Sequence, residues 1–385
     1  MTKVCYKGVY VHTPFCLRKC LYCDFPSYAG FSEATREQYV QALCREIAAK
    51  GRRLQASASY VDCRGTIFFG GGTPSILTAE QLGRIVDSLR RHGLWQEPAE
   101  ATIEVNPGTA DLAKFKALRD LGFDRISFGV QSLNDQELRT IGRIHTSDQA
   151  LQALWEAETA GFKRISADVM SGLPGQTVNS LEKTLDTLTS AGLSHLSVYS
   201  LILEEGTPLE HLVKTGQLKL PDEDAGLAMY EMTERFLQSC GLERYEISNY
   251  ARRGQESRHN QIYWHYEPYL GLGAAACEFD GAGRFTNTPE VELYIKEGPQ
   301  PEEEKLTPDI LLEEFLFMGL RTREGVSLQE ARARYGVDVW GRWGKDLAGF
   351  VMEGCLKLLE NGERLCLTSK GMRFGNLIFE VFVKA

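Results

Sequence analysis

The stretch Gly161-Phe-Lys-Arg164-Ile-Ser-Ala-Asp-Val169 joins the end of a helix to a strand, and the same phrase recurs along the chain. Asp120-Leu-Gly122-Phe123 leads into Arg125-Ile-Ser-Phe-Gly-Val130. Ala191-Gly192-Leu193 leads into His195-Leu-Ser-Val-Tyr199, and Cys240-Gly241-Leu242 into Tyr245-Glu-Ile-Ser248. Each glycine falls where a helix needs a left-handed C-terminal residue, which glycine adopts without a Cβ penalty. Upstream, residues 8–12, 66–69 and 101–105 read as further strands. Val40, Leu43 and Ile47 mark one amphipathic helix. Leu82, Ile85, Val86 and Leu89 mark another, which opens with Thr78 and Gln81 in capping-box spacing. Six strands alternating with helices before residue 202 predict right-handed βαβ units and a parallel sheet. The expected fold is α/β, an incomplete (β/α)6 barrel over residues 1–250. A connecting segment, 251–296, and a smaller C-terminal α+β domain, 309–385, follow it.

Composition narrows the function classes. The 385 residues contain no apolar run long enough to span a bilayer, and the N-terminus has no hydrophobic signal region, so a cytoplasmic protein is expected. A net charge of −9 disfavours a nucleic-acid partner, which usually leaves a basic footprint. Of ten cysteines, Cys5, Cys44, Cys63, Cys240, Cys277, Cys355 and Cys366 are scattered. In a reducing compartment they read as small buried hydrophobes rather than bridges, Cys277 excepted.

The remaining three are clustered. Cys16-Leu-Arg-Lys-Cys20-Leu-Tyr-Cys23 follows directly on the first strand. Three thiolates so spaced can hold three irons of a [4Fe–4S] cube and leave the fourth open to a small chelator. Structural zinc would want four ligands, commonly two pairs, and no second pair is present. A thioredoxin-like site would want a bare C-x-x-C, which the third cysteine spoils. Polar residues gather at the same ends of the other strands: Tyr10 and His12, Gly70-Gly-Gly-Thr73, Glu104, Gln131 and Asp168. In parallel barrels this rim is where ligands bind.

The C-x-x-x-C-x-x-C spacing after a first strand resembles the signature of the radical S-adenosylmethionine (SAM) superfamily. In that superfamily the amino and carboxylate groups of SAM chelate the open iron. One electron from the cluster then cleaves SAM to methionine and a 5′-deoxyadenosyl radical. Tyr22 resembles the aromatic placed against the SAM adenine, and Gly70 to Pro74 resembles the segment lining the methionine moiety. Tyr10-Val-His-Thr-Pro-Phe-Cys16, Phe69-Gly-Gly-Gly-Thr-Pro74 and Ser127-Phe-Gly-Val-Gln131 are similar to the oxygen-independent coproporphyrinogen III oxidase-like group. Arg143, Asp168 and Gly172-Leu-Pro174 agree. The resemblance implies a radical SAM barrel in which Tyr10, Gly71 and Glu104 face the SAM on the cluster. It also implies that Tyr22, Gly72, Thr73, Gln131, Arg143 and Asp168 contact a second SAM, so one or two are expected.

Two features point to one branch of that group. The oxidases carry a further cysteine two places after the triad, where this chain has Phe25, and they carry a longer extension before the cluster. Arg258-His-Asn-Gln-Ile-Tyr-Trp264 contains H-N-x-x-Y-W, which resembles the signature of the HemW heme chaperones, and Tyr269-Leu-Gly-Leu-Gly273 fits the same branch. The resemblance implies a protein that binds heme and delivers it to membrane cytochromes or other heme-accepting proteins. It would touch the membrane peripherally during delivery and draw electrons from a flavodoxin or ferredoxin. Histidine is a common axial ligand to heme iron, and Tyr and Trp offer flat faces with one polar atom. His259 is therefore the candidate ligand, flanked by Asn260, Tyr263 and Trp264; a packed core histidine is the competing reading. Relatives usually write Gly-Ala-His where this chain has Ala275-Ala276-Cys277, so any role of that histidine is lost here unless Cys277 supplies a thiolate in its place. Phe25 and the H-N-x-x-Y-W motif argue against an anaerobic coproporphyrinogen III dehydrogenase. No residue excludes a radical SAM methyltransferase.

Residues 297–308, rich in Pro and Glu, read as a linker. Beyond them, residues 311–320 read as an amphipathic helix, Ser327 as the cap of a second, and 351–359 as part of a third. Gly362-Glu-Arg-Leu-Cys-Leu-Thr368 reads as a β-wing. The pattern resembles a winged helix, but eleven basic and eleven acidic side chains over 309–385 supply no phosphate-binding surface. A packing or substrate-covering role is expected instead.

Overall fold

In the computed structural model, which describes residues 3–383, strand β1 (Cys5–Thr13) buries Val9 and Val11 in the main core. There they join Tyr39, Val40, Leu43 and Ile47 of α1 (Glu33–Ser57). The intervening residues Gly8, Tyr10 and His12 therefore face the opposite side, the barrel lumen. Five more strands pair in parallel, each with its predecessor: β2 (Tyr60–Gly71), β3 (Glu100–Val105), β4 (Arg125–Gln131), β5 (Arg164–Ser171) and β6 (His195–Ser200). The helices α2 (Ala79–Arg91), α3 (Leu112–Asp120), α4 (Ser147–Thr159) and α5 (Val178–Ser190) connect them, and α6 (Glu223–Ser239) follows β6. The Thr78–Gln81 capping box forms reciprocally at the start of α2. The helix-ending glycines take positive φ: +101° at Gly122, +98° at Gly161, +84° at Gly192 and +77° at Gly241.

The sheet continues past both ends of this parallel set. Beyond β6 lie β7 (Glu243–Arg244) and β8 (Asn249–Ala251), both antiparallel to their neighbours. Beside β1, on the side away from β2, lies β9 (Tyr269–Leu272), which is parallel to it. The antiparallel strands β10 (Cys277–Phe279), β11 (Gly283–Thr286) and β12 (Glu302–Lys305) follow. The full order is β12-β11-β10-β9-β1-β2-β3-β4-β5-β6-β8-β7, an open twelve-stranded sheet rather than a closed barrel. Residues 251–296 thus build part of the same sheet that carries the cysteine triad.

Three local expectations differ from the structure. Residues 245–248 form a turn, because the buried Glu246 carboxylate accepts from the Ser248 amide (3.0 Å) and from the Asn249 side chain. Inside the expected linker, Glu302–Lys305 is strand β12, whose four charged side chains are all exposed. Charged side chains of this kind blunt an edge strand. Residues 356–359 are a strand and not the end of a helix, since the helix stops at Met352 and Gly354 turns the chain with φ +71°.

The C-terminal region comprises α8 (Pro308–Leu320), β13 (Val326–Ser327), α9 (Leu328–Tyr335), α10 (Val339–Met352), β14 (Leu356–Leu359), β15 (Arg364–Leu367) and α11 (Gly375–Val383). Ser327 caps α9 through the Glu330 amide, and β15 lies between β13 and β14 as a small wing sheet. Its core of Leu312, Phe315, Leu316, Trp343 and Phe382 also takes in Tyr266, from the turn before β9, and Phe279 of β10. The two parts therefore share one apolar core. Among the described residues no helix is long and apolar enough to cross a membrane.

Candidate functional site

A cavity of about 440 Å³ opens at the C-terminal ends of the parallel strands. It is lined by Cys16, Cys20 and Cys23, and also by Tyr22, Gly71, Gly72, Thr73, Glu104, Gln131, Arg143 and Asp168. The structure therefore brings together every residue that the sequence assigned to the cluster or to SAM except Tyr10. Tyr10 lies one layer deeper, and its hydroxyl donates to His12 Nδ1 (2.9 Å). His12 Nε2 donates in turn to the Pro26 carbonyl (3.1 Å), which fixes the tautomer because a carbonyl only accepts. Burial holds His12 neutral, its pKa lowered to about 4. A buried strand histidine thus ties down the loop that carries the triad.

The three thiols each have a polar companion. Cys16 Sγ lies 3.5 Å from Thr73 Oγ1, and Cys23 Sγ lies 3.7 Å from Ser27 Oγ. Arg143 Nη1 donates to Cys20 Sγ (3.4 Å). Arg143 also donates through Nη2 to Asn106 Oδ1 (2.7 Å) and to the Gly129 carbonyl. Asn106 Nδ2 donates to Thr73 Oγ1 (2.7 Å), so one polar chain runs from β4 across β3 to Cys16. Three thiols lining one cavity, with hydroxyl and guanidinium donors beside them, are the kind of donor set that holds a [4Fe–4S] cluster. Arg143 Nε is buried without a partner, a donor left free at that wall.

The backbone is shaped for close approach. Gly71 has φ +109°, and a Cβ there would strike the His12 ring. A Cβ on Gly72 would sit 2.7 Å from the Phe15 carbonyl oxygen, so no larger residue fits. Gln131 holds φ +67° at a bulge where the β4–β5 register slips after Gly129. That conformation is costly for a residue with a Cβ, and bulges of this kind re-aim side chains at binding sites.

Two half-buried carboxyls face the cavity. Glu104 accepts from the Gly71 amide (3.1 Å), and its pKa is pushed up to about 8, first by burial and then by Asp168. Burial also raises Asp168, against the pull of hydrogen bonds from Ser197 and Ser127 and the charge of Arg125. A pair of carboxyls held above their ordinary range favours a ligand that brings positive charge. Sequence reasoning missed Asn106, Tyr199 and Met170 on the same walls. Asn106 was within reach, because Asn106-Pro107 marks the turn that ends β3.

The H-N-x-x-Y-W residues lie elsewhere. They form helix α7 (Arg258–Trp264), capped by Ser257 and seated under the N-terminal ends of the strands. The buried Glu100 carboxylate, at the start of β3, accepts from the Arg258 amide (3.1 Å) and the His259 amide (3.0 Å) and pairs with Arg164 (2.7 Å). Burial alone would raise Glu100, but Arg125, Arg164 and the two amides outweigh it and hold the carboxyl below its usual range. The His259 ring lies 5.0 Å from that of Phe68 and 6.4 Å from that of Tyr10, stacked on both.

The surroundings of His259 match the competing reading, a packed core histidine. The residue is 0% exposed. Its Nδ1 is 2.6 Å from Thr66 Oγ1, and its Nε2 is 2.8 Å from the Tyr263 hydroxyl. Both ring nitrogens are engaged, so neither is offered to an iron atom in this conformation. Burial holds the imidazole neutral, its pKa lowered to about 3. Asn260 is half-buried on the same helix, whereas Tyr263 and Trp264 turn outward to line a separate groove with Tyr269 and Phe317. Cys277, at the position of the lost histidine, is half-buried and within hydrogen-bonding reach of Tyr269.

Comparison with known proteins agrees with this architecture. The radical SAM superfamily profile matches residues 10–188, and that of the HemN C-terminal domain matches 306–374. The "Heme chaperone HemW" of Bacillus subtilis is 36% identical over 384 residues, covering 98% of this chain and 99% of its own. The "Heme chaperone HemW" of Lactococcus lactis is 34% identical over 380 residues, covering 98% and 97%. Among solved structures, the coproporphyrinogen III oxidase HemN of Escherichia coli superimposes with a TM-score of 0.83 at 23% identity. That match covers 99% of this chain and 90% of that one, and it shows a shared fold.

Proposed function

Because this chain belongs to the HemW family of heme chaperones within the radical SAM superfamily, we propose that it binds heme and hands it to heme-accepting proteins. In this reading it retains a [4Fe–4S] cluster on Cys16, Cys20 and Cys23 and SAM in the adjoining cavity. The observation that carries the cluster assignment is the convergence of three thiols and Arg143 on one cavity wall. Similarity along almost the whole chain to proteins named heme chaperones carries the heme assignment.

When bound, the cluster supplies a single electron and an open iron site for the methionine end of SAM. The chain's own residues do the rest. Gly71 and Gly72 let the backbone approach the ligand, and the Glu104 and Asp168 carboxyls favour its cationic groups. Tyr22, packed near Ile141, Met170 and Leu173, offers an apolar face to the adenine. Gln131 and Arg143 are the contacts we assign to a second SAM. Phe25 stands 67% exposed at the rim, where the oxidases place a cysteine, and gives the cluster no further thiol. Membrane cytochromes are the proposed recipients, with a flavodoxin or ferredoxin as electron donor. Delivery then takes place from the cytoplasm at the membrane surface.

Titrating anaerobically reconstituted protein with heme and following the Soret band tests this reading. Saturable binding near one equivalent is expected, together with a change in the reduced cluster's EPR signal when SAM is added. Absence of heme binding would sink the chaperone function. Turnover of coproporphyrinogen III to protoporphyrinogen IX would replace it with the dehydrogenase.

A further inference from the structure

Asn106 links donors to two of the three thiols, and its own amide decides which way those donors point. Arg143 Nη2 donates to Asn106 Oδ1 (2.7 Å), and Asn106 Nδ2 donates to Thr73 Oγ1 (2.7 Å). A guanidinium donates and cannot accept, so the amide oxygen must face Arg143 and the amide NH2 must face Thr73. The Thr73 hydroxyl therefore accepts from Asn106 and keeps its own proton to donate. Cys16 Sγ, 3.5 Å from Oγ1, is the group that meets it. On the other branch, Arg143 Nη2 is pinned by two acceptors, Asn106 Oδ1 and the Gly129 carbonyl, which aims Nη1 at Cys20 Sγ (3.4 Å). One side-chain amide thus sends an O–H to one sulfur and an N–H to another.

The surroundings hold Asn106 in this orientation. It directly follows β3, and Pro107 restricts the backbone of the residue before it. Thr73 is 2% exposed, so its proton is not spent on bulk water. A Cβ on Gly129 would sit 2.7 Å from Asn106 Oδ1 and 3.2 Å from Arg143 Nη2. Any side chain there would push the amide off the guanidinium, and glycine leaves the room. The amide chemistry matters as much as the space. An aspartate at the same place would accept from both neighbours and take the Thr73 proton for itself.

We propose that Asn106 is a positioning residue for the cluster: it directs the Thr73 hydroxyl to Cys16 and the Arg143 guanidinium to Cys20, and through them raises the cluster's reduction potential. The step concerned is the passage of one electron from a donor protein of the flavodoxin or ferredoxin class to the cluster, with no bond made or broken. That electron adds negative charge to a centre already held by thiolates, and donors aimed at sulfur stabilise the more negative state. The proposal rests on the cluster reading above and adds the residue that tunes it. It gives Thr73 and Arg143 a role that needs no second SAM.

The test is an EPR-monitored redox titration of the full chain, reconstituted anaerobically and kept free of SAM, so that contacts to SAM play no part. Asn106→Ala should make reduction about tenfold less favourable, a fall of about 59 mV for one electron. Thr73→Val, which removes only the hydroxyl, should cost about threefold, and Thr73→Ser, which keeps it, should stay at the wild-type midpoint. In the double variant of Asn106→Ala with Thr73→Val the fall should be smaller than the sum of the two single falls, because both act on the Cys16 branch. Iron content and the visible absorption of the cluster report whether each variant is loaded. A loaded Asn106→Ala whose midpoint differs from wild type by less than about threefold overturns the proposal. Strictly additive falls overturn the route through Thr73. If Asn106→Ala takes up no cluster, the Thr73 pair decides: a lower midpoint in Thr73→Val than in Thr73→Ser supports the role, and equal midpoints overturn it. A wild-type chain that assembles no four-iron centre removes the cluster reading, and this role with it.

Discussion

At the C-terminal ends of the strands, Arg143 keeps its Nε unpartnered, Glu104 sits above its ordinary pKa, and three thiols face a cavity. At the other end of the same lumen, His259 has both nitrogens bonded, and Glu100 accepts from two amides while pairing with Arg164. Both ends are rich in buried polar side chains, so polarity alone does not mark the binding end. The difference lies in what these groups face. At the upper end thiols, a guanidinium and two carboxyls line an open cavity, whereas at the lower end His259 and the Glu100 carboxylate spend their bonds on neighbouring residues and hold α7 in place.

The comparison can be broken most decisively at the upper end. Replacing Cys20 by Ala should reduce bound iron and sulfide in anaerobic reconstitution to background while leaving far-UV circular dichroism unchanged. An unaltered iron content would show that the triad is not the ligand set. At the lower end the expected damage is to stability. Glu100→Ala takes the nearest carboxylate from the half-buried Arg164 and a stabilising charge from the buried Arg125, and it removes the anchor of α7. A loss of about 3–5 kcal/mol is expected in urea unfolding. A change below 1 kcal/mol would mean that α7 is held by packing alone.

A pH titration sharpens the contrast further. His259 and His12 are neutral in the folded chain, with pKa lowered to about 3 and about 4, whereas in the unfolded chain they take up a proton near pH 6.5. The unfolded state therefore binds more protons between these values. Stability is fully present above about pH 6.5 and falls as the pH drops through that window. Each histidine should contribute a loss of roughly 2 kcal/mol by pH 5. Unfolding free energies measured from pH 8 to 5 should decline less steeply in His259→Gln, and parallel slopes would refute this account. The smallest expected effect is that of Thr66→Val, which removes one bond to His259 and should cost about 1 kcal/mol.

Much of the upper end was legible in the chain. Local signals placed its parts: glycines ended helices, apolar alternation marked six strands, and the cysteines followed the first of them. Residues at the ends of parallel strands must converge, so Gly71, Gly72, Thr73, Glu104, Gln131 and Asp168 meet at one cavity without any knowledge of long-range pairing, whereas Tyr22 and Arg143 on the same cavity came from the family resemblance. The lower end was not legible. What decides His259 is its contact with Thr66 and Tyr10 and the seating of α7 on Glu100, pairings across more than 150 positions that no local pattern encodes. The motif gave the right residue types, but their partners decide which of them can reach a ligand. Strand β12 escaped for a related reason. Four charged residues read as a linker until β11 is known to need a neighbour.

The position of β1 between β2 and β9 has a consequence for biosynthesis. Its two flanking registers, Tyr10 with Phe68 and Tyr10 with Gly271, come from opposite ends of the barrel sequence. All three cysteines of the triad leave the ribosome early, yet Arg143 follows Cys23 by 120 positions and β9 by nearly 250. At elongation rates of about 5–20 residues per second the thiols remain without their guanidinium for on the order of ten seconds, and without the completed wall for longer. Iron delivered to the nascent chain would meet a loop that cannot yet shield it. With the cluster proposed for the triad, loading belongs after chain release, and oxygen present during translation is the hazard that this strand order builds in.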